Sequence, residues 1–248
     1  MEQGFKKKLF HICMIIVMIA AILFVVGILV LKYQVEGETN LPFNLSKISV
    51  ISSADATDNE DAANRWNLTI NQNNDIYMYI EKNPEYTKTE VIESVVVDNF
   101  NINKAVEKGE QHIYKPTQEE TSIFKNAEAN IADNITYTGD LDSNIKELKI
   151  SNQGGIIALR FANNNISTYT SNDAQEINYN QLLKETNVTL DDIKATVSFD
   201  LTIKLASGKS YKSNITLDMP SGDVITEGTS STELTDMSKF IFKRIENN

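Results

Sequence analysis

The chain contains few side chains that could act as a nucleophile, a general base or a soft metal ligand. It has one cysteine, Cys13, and two histidines, His11 and His112. Cys13 and His11 lie within a long apolar run, so His112 is the one such side chain in the remaining sequence. With so few cysteines and histidines, the sequence excludes zinc sites built from these residues, and it excludes a cysteine nucleophile outside the apolar run. A Ser-His-Asp triad would need His112, and the sequence contains no G-x-S-x-G motif.

Phosphate-binding motifs are absent as well. The sequence contains neither G-x-x-x-x-G-K-[ST] nor G-x-G-x-x-G, whose backbone amides cradle phosphates. Two carboxylates could serve a glycosidase, but acidic residues are so numerous that no pair is singled out. We therefore predict no catalytic residues and no enzyme activity, with His112 as an ordinary histidine on a strand surface. The alternative is a carboxylate-using hydrolase of the cell envelope.

Calcium is the one ion that this composition favours, because its ligands are oxygen atoms. Asp140, Asp142 and Asn144 follow the D-x-D-x-N spacing of an EF-hand loop, but Ile145 stands where that pattern needs glycine and Ser151 where it needs glutamate. A second acidic group lies in a predicted loop over residues 55–64 and comprises Asp55, Asp58, Glu60 and Asp61. We expect both to be solvated loops without a cofactor. A calcium-dependent adhesive module is the alternative.

A pair of tyrosines provides the candidate ligand-binding face. Ile76, Met78 and Ile80 alternate with Tyr77 and Tyr79. In a β-strand these two sets point to opposite faces, so the tyrosines lie away from the core. An aromatic and polar strand face of this kind can bind sugars or peptides. Tyrosine is also a good strand former, so the competing interpretation is that the pair only stabilises its sheet.

The apolar run Leu9–Leu31 is long enough to cross a bilayer. Its 23 residues would form a helix of about 34 Å, against a hydrocarbon core of about 30 Å. The apolar region of a secretory signal is shorter, about 7 to 15 residues, and ends at a small-x-small cleavage site. No clear site of that kind follows this run. We therefore predict a retained signal-anchor, with the lipid bilayer as the partner of residues 9–31.

Charge predicts the orientation of this anchor. Lys6, Lys7 and Lys8 precede the run and only Lys32 follows it, and positively charged flanks stay in the cytoplasm. From Tyr33 onward there are 23 − 4 = 19 basic and 34 − 1 = 33 acidic residues, a formal charge of 19 − 33 = −14. Nucleic acid repels such a domain. We predict a single-pass protein of the cell membrane with a cytoplasmic N-terminus, an outer C-terminal domain and no nucleic-acid partner.

Alternating polarity predicts a mostly β domain after the anchor. The clearest signal is a hairpin over residues 195–220, with its turn at Ser207–Lys209 and a solvent-exposed face that includes Ser198 and Thr202. Residues 65–83 predict a second hairpin whose turn is the polar run 71–75. Apolar residues at helical spacing predict a helix over residues 117–135, and residues 178–187 predict a shorter one. The fold class is a β-sandwich-like set of antiparallel sheets with one or two short helices, with an α+β fold as the alternative.

These elements give a predicted order of segments along the chain. They are a cytoplasmic stub (1–8), a transmembrane anchor (9–31), a linker (32–44), an extracytoplasmic β-rich domain (45–222) and a polar tail (223–248). Within the tail, Phe240-Ile241-Phe242 is expected to dock as a short strand. The predicted function is that of a non-catalytic accessory or binding component of the cell envelope. Its expected partner is another envelope protein or a cell-wall polymer.

Overall fold

The computed structural model describes residues 2–59, 65–104, 106–117, 123–124, 131–139, 148–171 and 177–246. The chain divides into two compact units, Met1–Thr39 and Asn40–Asn248. The second unit therefore also contains residues 223–248, the predicted polar tail with its docking segment.

The first unit consists mainly of one helix, α1, which spans Glu2–Glu36. Its segment Phe10–Glu36 is long and apolar enough to cross a membrane, and none of its most apolar part is buried. A cleaved signal sequence near the N-terminus would meet the same criterion. The helix ends at Gly37, which has a φ of 72° and donates its N–H to the carbonyl oxygen of Tyr33 at 2.8 Å. Glycine is favoured at such a left-handed position because it lacks a Cβ atom.

The second unit is mostly β. Its described residues form eleven strands and a few short helical segments. The strands are β1 (Phe43–Asp58), β2 (Asn67–Lys82), β3 (Ile92–Lys104), β4 (Glu110–Tyr114), β5 (Ile135–Gly139), β6 (Lys149–Ile150), β7 (Gly154–Thr170), β8 (Ala195–Leu205), β9 (Ser210–Met219), β10 (Thr229–Leu234) and β11 (Lys243–Ile245). The helical segments are a 3₁₀ turn (Tyr179–Gln181), α2 (Leu182–Glu185), α3 (Leu190–Ile193) and α4 (Val224–Glu227).

The strands form two sheets. The five-stranded sheet has the order β10-β1-β2-β7-β4, and all its neighbouring strands are antiparallel. The six-stranded sheet has the order β11-β9-β8-β3-β5-β6, and it is mixed because β5 and β6 run parallel. The prediction of a mostly β domain with few short helices is confirmed. The C-terminal segment adds an edge strand to each sheet, β10 beside β1 and β11 beside β9.

The main hydrophobic cluster takes side chains from both sheets. Ile76 and Leu159 come from the five-stranded sheet, and Val97 and Phe199 come from the six-stranded one. All four are fully buried. The predicted docking segment also contributes, because Phe240 and Phe242 pack into this cluster. The strand β11 begins after these residues, at Lys243. A second cluster joins the far ends of β1 and β2 to the short helices.

The predicted hairpin over residues 195–220 is confirmed as β8 and β9. The apolar side chains from Ala195 to Leu205 are buried on one face, as expected. The opposite face is less exposed than predicted, because Ser198 is 8% exposed and Thr202 only 4%. β8 is an inner strand between β3 and β9, so side chains from both neighbours cover its short hydroxyl residues.

The predicted hairpin over residues 65–83 is wrong, because β2 continues through the predicted turn. Residues 71–75 keep their pairing with both β1 and β7, apart from a bulge beside Asn71. Gln72 and Asn74 are fully buried. These two side chains belong to a buried polar layer in the middle of β2, and not to a turn. The predicted loop at residues 55–64 likewise begins too early, because β1 extends through Asp58.

Four side chains make up this buried polar layer: Ser52, Gln72, Asn74 and Asn163. Each is fully buried, and the layer separates the main cluster from the second cluster along one face of the five-stranded sheet. Asn74 is its centre. Its Oδ1 accepts from Ser52 Oγ at 2.7 Å and from Gln72 Nε2 at 2.9 Å, and its Nδ2 donates to Gln72 Oε1 at 3.1 Å and to the Phe161 carbonyl at 3.3 Å. Ser52, Gln72 and Asn74 are thus paired, as buried polar groups in a core usually are, whereas the side-chain amide of Asn163 has no hydrogen-bond partner among the described residues.

The predicted helix over residues 117–135 is contradicted at its C-terminal end. Ile131 forms an isolated antiparallel bridge with Tyr114, and Ile135 begins β5. Most residues between Thr117 and Ile131 lie outside the described residues. The shorter predicted helix over residues 178–187 is confirmed by the 3₁₀ turn and α2.

Tyr137 of β5 connects the two sheets through its hydroxyl group. The hydroxyl donates to the Ala158 carbonyl at 2.6 Å and accepts from the Ala158 N–H at 2.9 Å. β4 covers this edge of β7 only as far as the pair Tyr114–Arg160, so Ala158 lies just beyond its end. The phenol thus replaces a missing strand at one backbone position. Burial raises the pKa of Tyr137, which keeps the hydroxyl protonated and able to donate.

Candidate functional site

The outer face of the five-stranded sheet is the face opposite Ile76, Met78 and Ile80. Cross-strand pairing arranges its side chains in rows. These rows are Lys47–Tyr79–Ile156, Ser49–Tyr77–Ala158, Ile51–Asp75–Arg160–Tyr114 and Ser53–Asn73–Ala162–His112. The predicted ligand residues Tyr77 and Tyr79 therefore share a face with His112, which sequence reasoning leaves as an ordinary strand histidine.

Tyr79 and its neighbours form one end of this face. Lys47 Nζ lies 4.3 Å from the centre of the Tyr79 ring, and Ile156 beside it is 51% exposed. Gly154 and Gly155 directly precede Ile156 on β7. Together with Tyr79 they line a shallow depression of about 310 Å³. The tyrosines point away from the core, as the alternation in the sequence predicts. That they bind a ligand stays a prediction.

An ion pair crosses the middle of the face. Arg160 donates from Nε to Asp75 Oδ1 at 2.5 Å and from Nη2 to Asp75 Oδ2 at 2.9 Å. The ring of Phe124, which is itself buried, lies 4.6 Å from the guanidinium carbon of Arg160. Burial and the Asp75 carboxylate raise the pKa of the neighbouring Tyr77. This charged row separates the Tyr79 end from a second depression.

We call the second depression the amide depression. It has a volume of about 360 Å³, and its walls come from β1, β2, β4, β7 and the residues that adjoin them. None of the described residues that line it carries a carboxylate, an ammonium or a guanidinium group. The lining residues are Thr57, Asn59, Thr69, Asn71, His112, Tyr114, Ile131, Asn164 and Asn165.

A bulge in β7 positions two of these asparagines. Ile70 pairs with Ser167 and Gln72 pairs with Asn163, so β7 spans 167 − 163 = 4 residues where β2 spans 72 − 70 = 2. Bulges redirect side chains in this manner. Asn165 takes a left-handed φ of 58°, which asparagine tolerates better than most residues. Its N–H donates to Asn71 Oδ1 at 2.9 Å, which fixes both residues at the depression.

No family model, curated protein or solved structure matches this chain. The outer face is therefore interpreted from its own chemistry. Its Tyr79 end offers aromatic and aliphatic surface beside charged residues. Its amide depression offers uncharged hydrogen-bonding groups.

Of the calcium candidates, only Asp55 and Asp58 lie among the described residues. Asp55 and Asp58 are three residues apart in β1, so their side chains point to opposite faces of the sheet. Asp55 Oδ1 accepts from the Ala56 N–H at 2.8 Å. Asp140, Asp142, Asn144, Glu60 and Asp61 lie outside the described residues. Within the part of the chain that is described, no three His, Cys, Asp or Glu side chains could hold a metal ion together.

The described carboxyl groups with clearly shifted pKa values are all shifted downward. A hydrogen bond from Lys209 Nζ at 2.6 Å is the main cause that lowers the pKa of Glu90. Burial by itself would raise the pKa of Asp200. Hydrogen bonds from three neighbouring side chains outweigh this effect and lower the pKa; the donors are Asn214, Lys212 and Asn99. Hydrogen bonds also lower the pKa of Asp192, Asp223 and Asp236. A general acid needs the opposite shift.

Proposed function

We propose that this protein is a single-pass membrane-anchored component of the cell envelope with a non-catalytic binding or accessory role. The observation that carries the proposal is α1, whose apolar side chains between Phe10 and Glu36 have no protein partner in their most apolar part. Such a surface is unfavourable in water and favourable in a bilayer. The lysines before this segment favour a cytoplasmic N-terminus, which places Asn40–Asn248 outside.

We further propose that the two sheets pack face to face as a β-sandwich. Support comes from the main hydrophobic cluster, which contains buried side chains of both sheets. The bond pair between Tyr137 and Ala158 also joins them. Such a scaffold holds its outer faces rigidly, as a binding surface requires.

The non-catalytic part of the proposal is supported by the described ionisable groups. The carboxyl pKa values that shift clearly all shift downward, so these groups are poor proton donors near neutral pH. The outer face of the five-stranded sheet instead offers two depressions suited to recognition. None of these five carboxyl groups lines either depression, and we propose that this face binds a ligand.

Cysteine labelling tests the orientation. Cys13 is the only cysteine, so Cys13→Ser gives a background in which single cysteines can be placed at will. Lys88→Cys adds a thiol at an exposed position between β2 and β3, and Gln3→Cys adds one before α1's apolar segment. In intact cells we expect a membrane-impermeant maleimide to label Lys88→Cys and to leave Gln3→Cys unlabelled.

The pair of variants serves as its own control, because lysis should make both thiols reactive. Labelling of Gln3→Cys but not of Lys88→Cys in intact cells would reverse the orientation and refute an extracytoplasmic role. Labelling of neither position before lysis would place the domain in the cytoplasm.

A further inference from the structure

The amide depression has a chemistry that differs from the rest of the second unit. The chain from Tyr33 onward carries a formal charge of 19 − 33 = −14, yet none of the described lining residues is an acid, a lysine or an arginine. Four asparagines and two threonines supply most of the wall. A charged ligand would need an opposite charge, since desolvating an unpaired ion is costly. The lining therefore fits an uncharged ligand that is rich in hydrogen-bonding groups.

The hydrogen-bonding side chains are held in place by one another. Asn59 and Thr69 bond mutually at 3.2 Å, and Asn164 Nδ2 donates to the Tyr114 hydroxyl at 2.8 Å. Asn71 accepts from the backbone of Asn165. A primary amide can form four hydrogen bonds, so each of these asparagines keeps capacity for a ligand. Groups fixed in advance lose little conformational entropy on binding.

The depression also offers apolar surface at Ile131, which bridges to Tyr114 and is 59% exposed. The Tyr114 ring lies 5.9 Å from that of His112 between centroids but is only 3% exposed, so Ile131 supplies the exposed apolar contact. A pyranose ring presents hydroxyl groups at its rim and C–H groups on its face, which matches amides around an apolar surface. Extended peptides instead usually pair with the free edge of a sheet, whereas this depression lies on a sheet face.

We propose that the amide depression binds an uncharged saccharide, with Asn71, Asn164 and Thr69 bonding its hydroxyl or acetamido groups and Ile131 contacting its ring face. This inference rests on the proposed function, which places the domain outside the membrane, where surface polysaccharides occur. Sugar binding and orientation are nonetheless separate properties. A domain that the labelling experiment places outside but that binds no sugar refutes only the inference drawn here.

The test uses the full chain in phosphatidylcholine nanodiscs, which avoids detergents with sugar headgroups. The chain has two histidines, and only His112 lies in the second unit. In histidine-labelled protein, titration with chitotetraose or cellotetraose should shift the NMR signal of His112 and leave that of His11 unchanged. Asn164→Ala and Thr69→Val should each raise the Kd at least tenfold. Asn101→Ala, which removes an exposed amide on β3 that bonds Asn103, should leave the Kd unchanged.

Three results would overturn the proposal. One is a His112 signal that stays fixed with both oligosaccharides at millimolar concentration. Another is an equal loss of affinity in Asn101→Ala and in the two depression variants. The third is an uncharged peptide, acetyl-tetraglycine amide, that shifts His112 at lower concentration than either sugar. If a variant fails to fold, the His112 titration of the unaltered protein decides by itself.

Discussion

Replacing Asn74 with alanine is expected to lower the free energy of unfolding by about 3 to 4 kcal/mol. Asn74 is fully buried and takes part in hydrogen bonds with Ser52, Gln72 and the Phe161 carbonyl. Alanine removes all of them and leaves a small cavity. Gln72 Oε1 then loses its donor inside the protein, which costs more than the bond itself contributed.

Urea unfolding can measure this loss through the fluorescence of Trp66, the single tryptophan, which packs against the second hydrophobic cluster. Asn101→Ala is the matched control, because Asn101 is exposed and its loss should change the free energy of unfolding by less than about 0.5 kcal/mol. Equal stability of the two variants would show that the buried polar layer does not hold this part of the five-stranded sheet.

Replacing Tyr137 with phenylalanine is expected to cost about 2 kcal/mol. The ring remains and fills the same volume, so no cavity forms. The N–H and C=O of Ala158 both lose the hydroxyl that pairs them where β4 ends. Unpaired buried backbone groups are rare in proteins because each is costly. The variant should therefore unfold at lower urea concentration with an unchanged m-value.

Tyr179→Phe is the control for this substitution, because Tyr179 is 53% exposed on the 3₁₀ turn. We expect it to be neutral. Hydrogen exchange at the Ala158 amide gives an independent readout, since Tyr137→Phe should speed its exchange more than that of the amides at the centre of β2. If Tyr137→Phe matched the control in both measurements, the bonds between the Tyr137 hydroxyl and Ala158 would not contribute to the stability of the two sheets.

The regular part of the fold could be predicted from the sequence, because alternation is a local signal. The hairpin of β8 and β9 has an unbroken apolar face from Ala195 to Leu205, and its turn contains Gly208 at a φ of 80°. The polar run 71–75 misled the same reasoning. Asn and Asp are turn formers. The partners Ser52 and Phe161, distant in sequence, make Asn74 favourable in mid-strand, and Asn74 in turn pairs with Gln72.

The outer face could be predicted only in part. Tyr77 and Tyr79 follow from alternation within one strand, which a single segment reveals. The amide depression does not, because Thr57, Asn71, His112 and Asn164 come from four strands, of which β4 and β7 are distant in sequence from β1 and β2. The bulge that presents Asn164 and Asn165 has no local signal apart from the run of asparagines. An asparagine-rich stretch is equally typical of a loop.

The intact mass of the protein in washed membranes shows whether α1 is retained as an anchor. Alkaline carbonate removes peripheral proteins but leaves bilayer-spanning ones in place. If α1 is a retained anchor, the membrane pellet should contain a chain whose intact mass includes Phe10–Glu36. A shorter chain that lacks this segment and appears in the soluble fraction would refute membrane anchoring, because α1 would then be a cleaved signal.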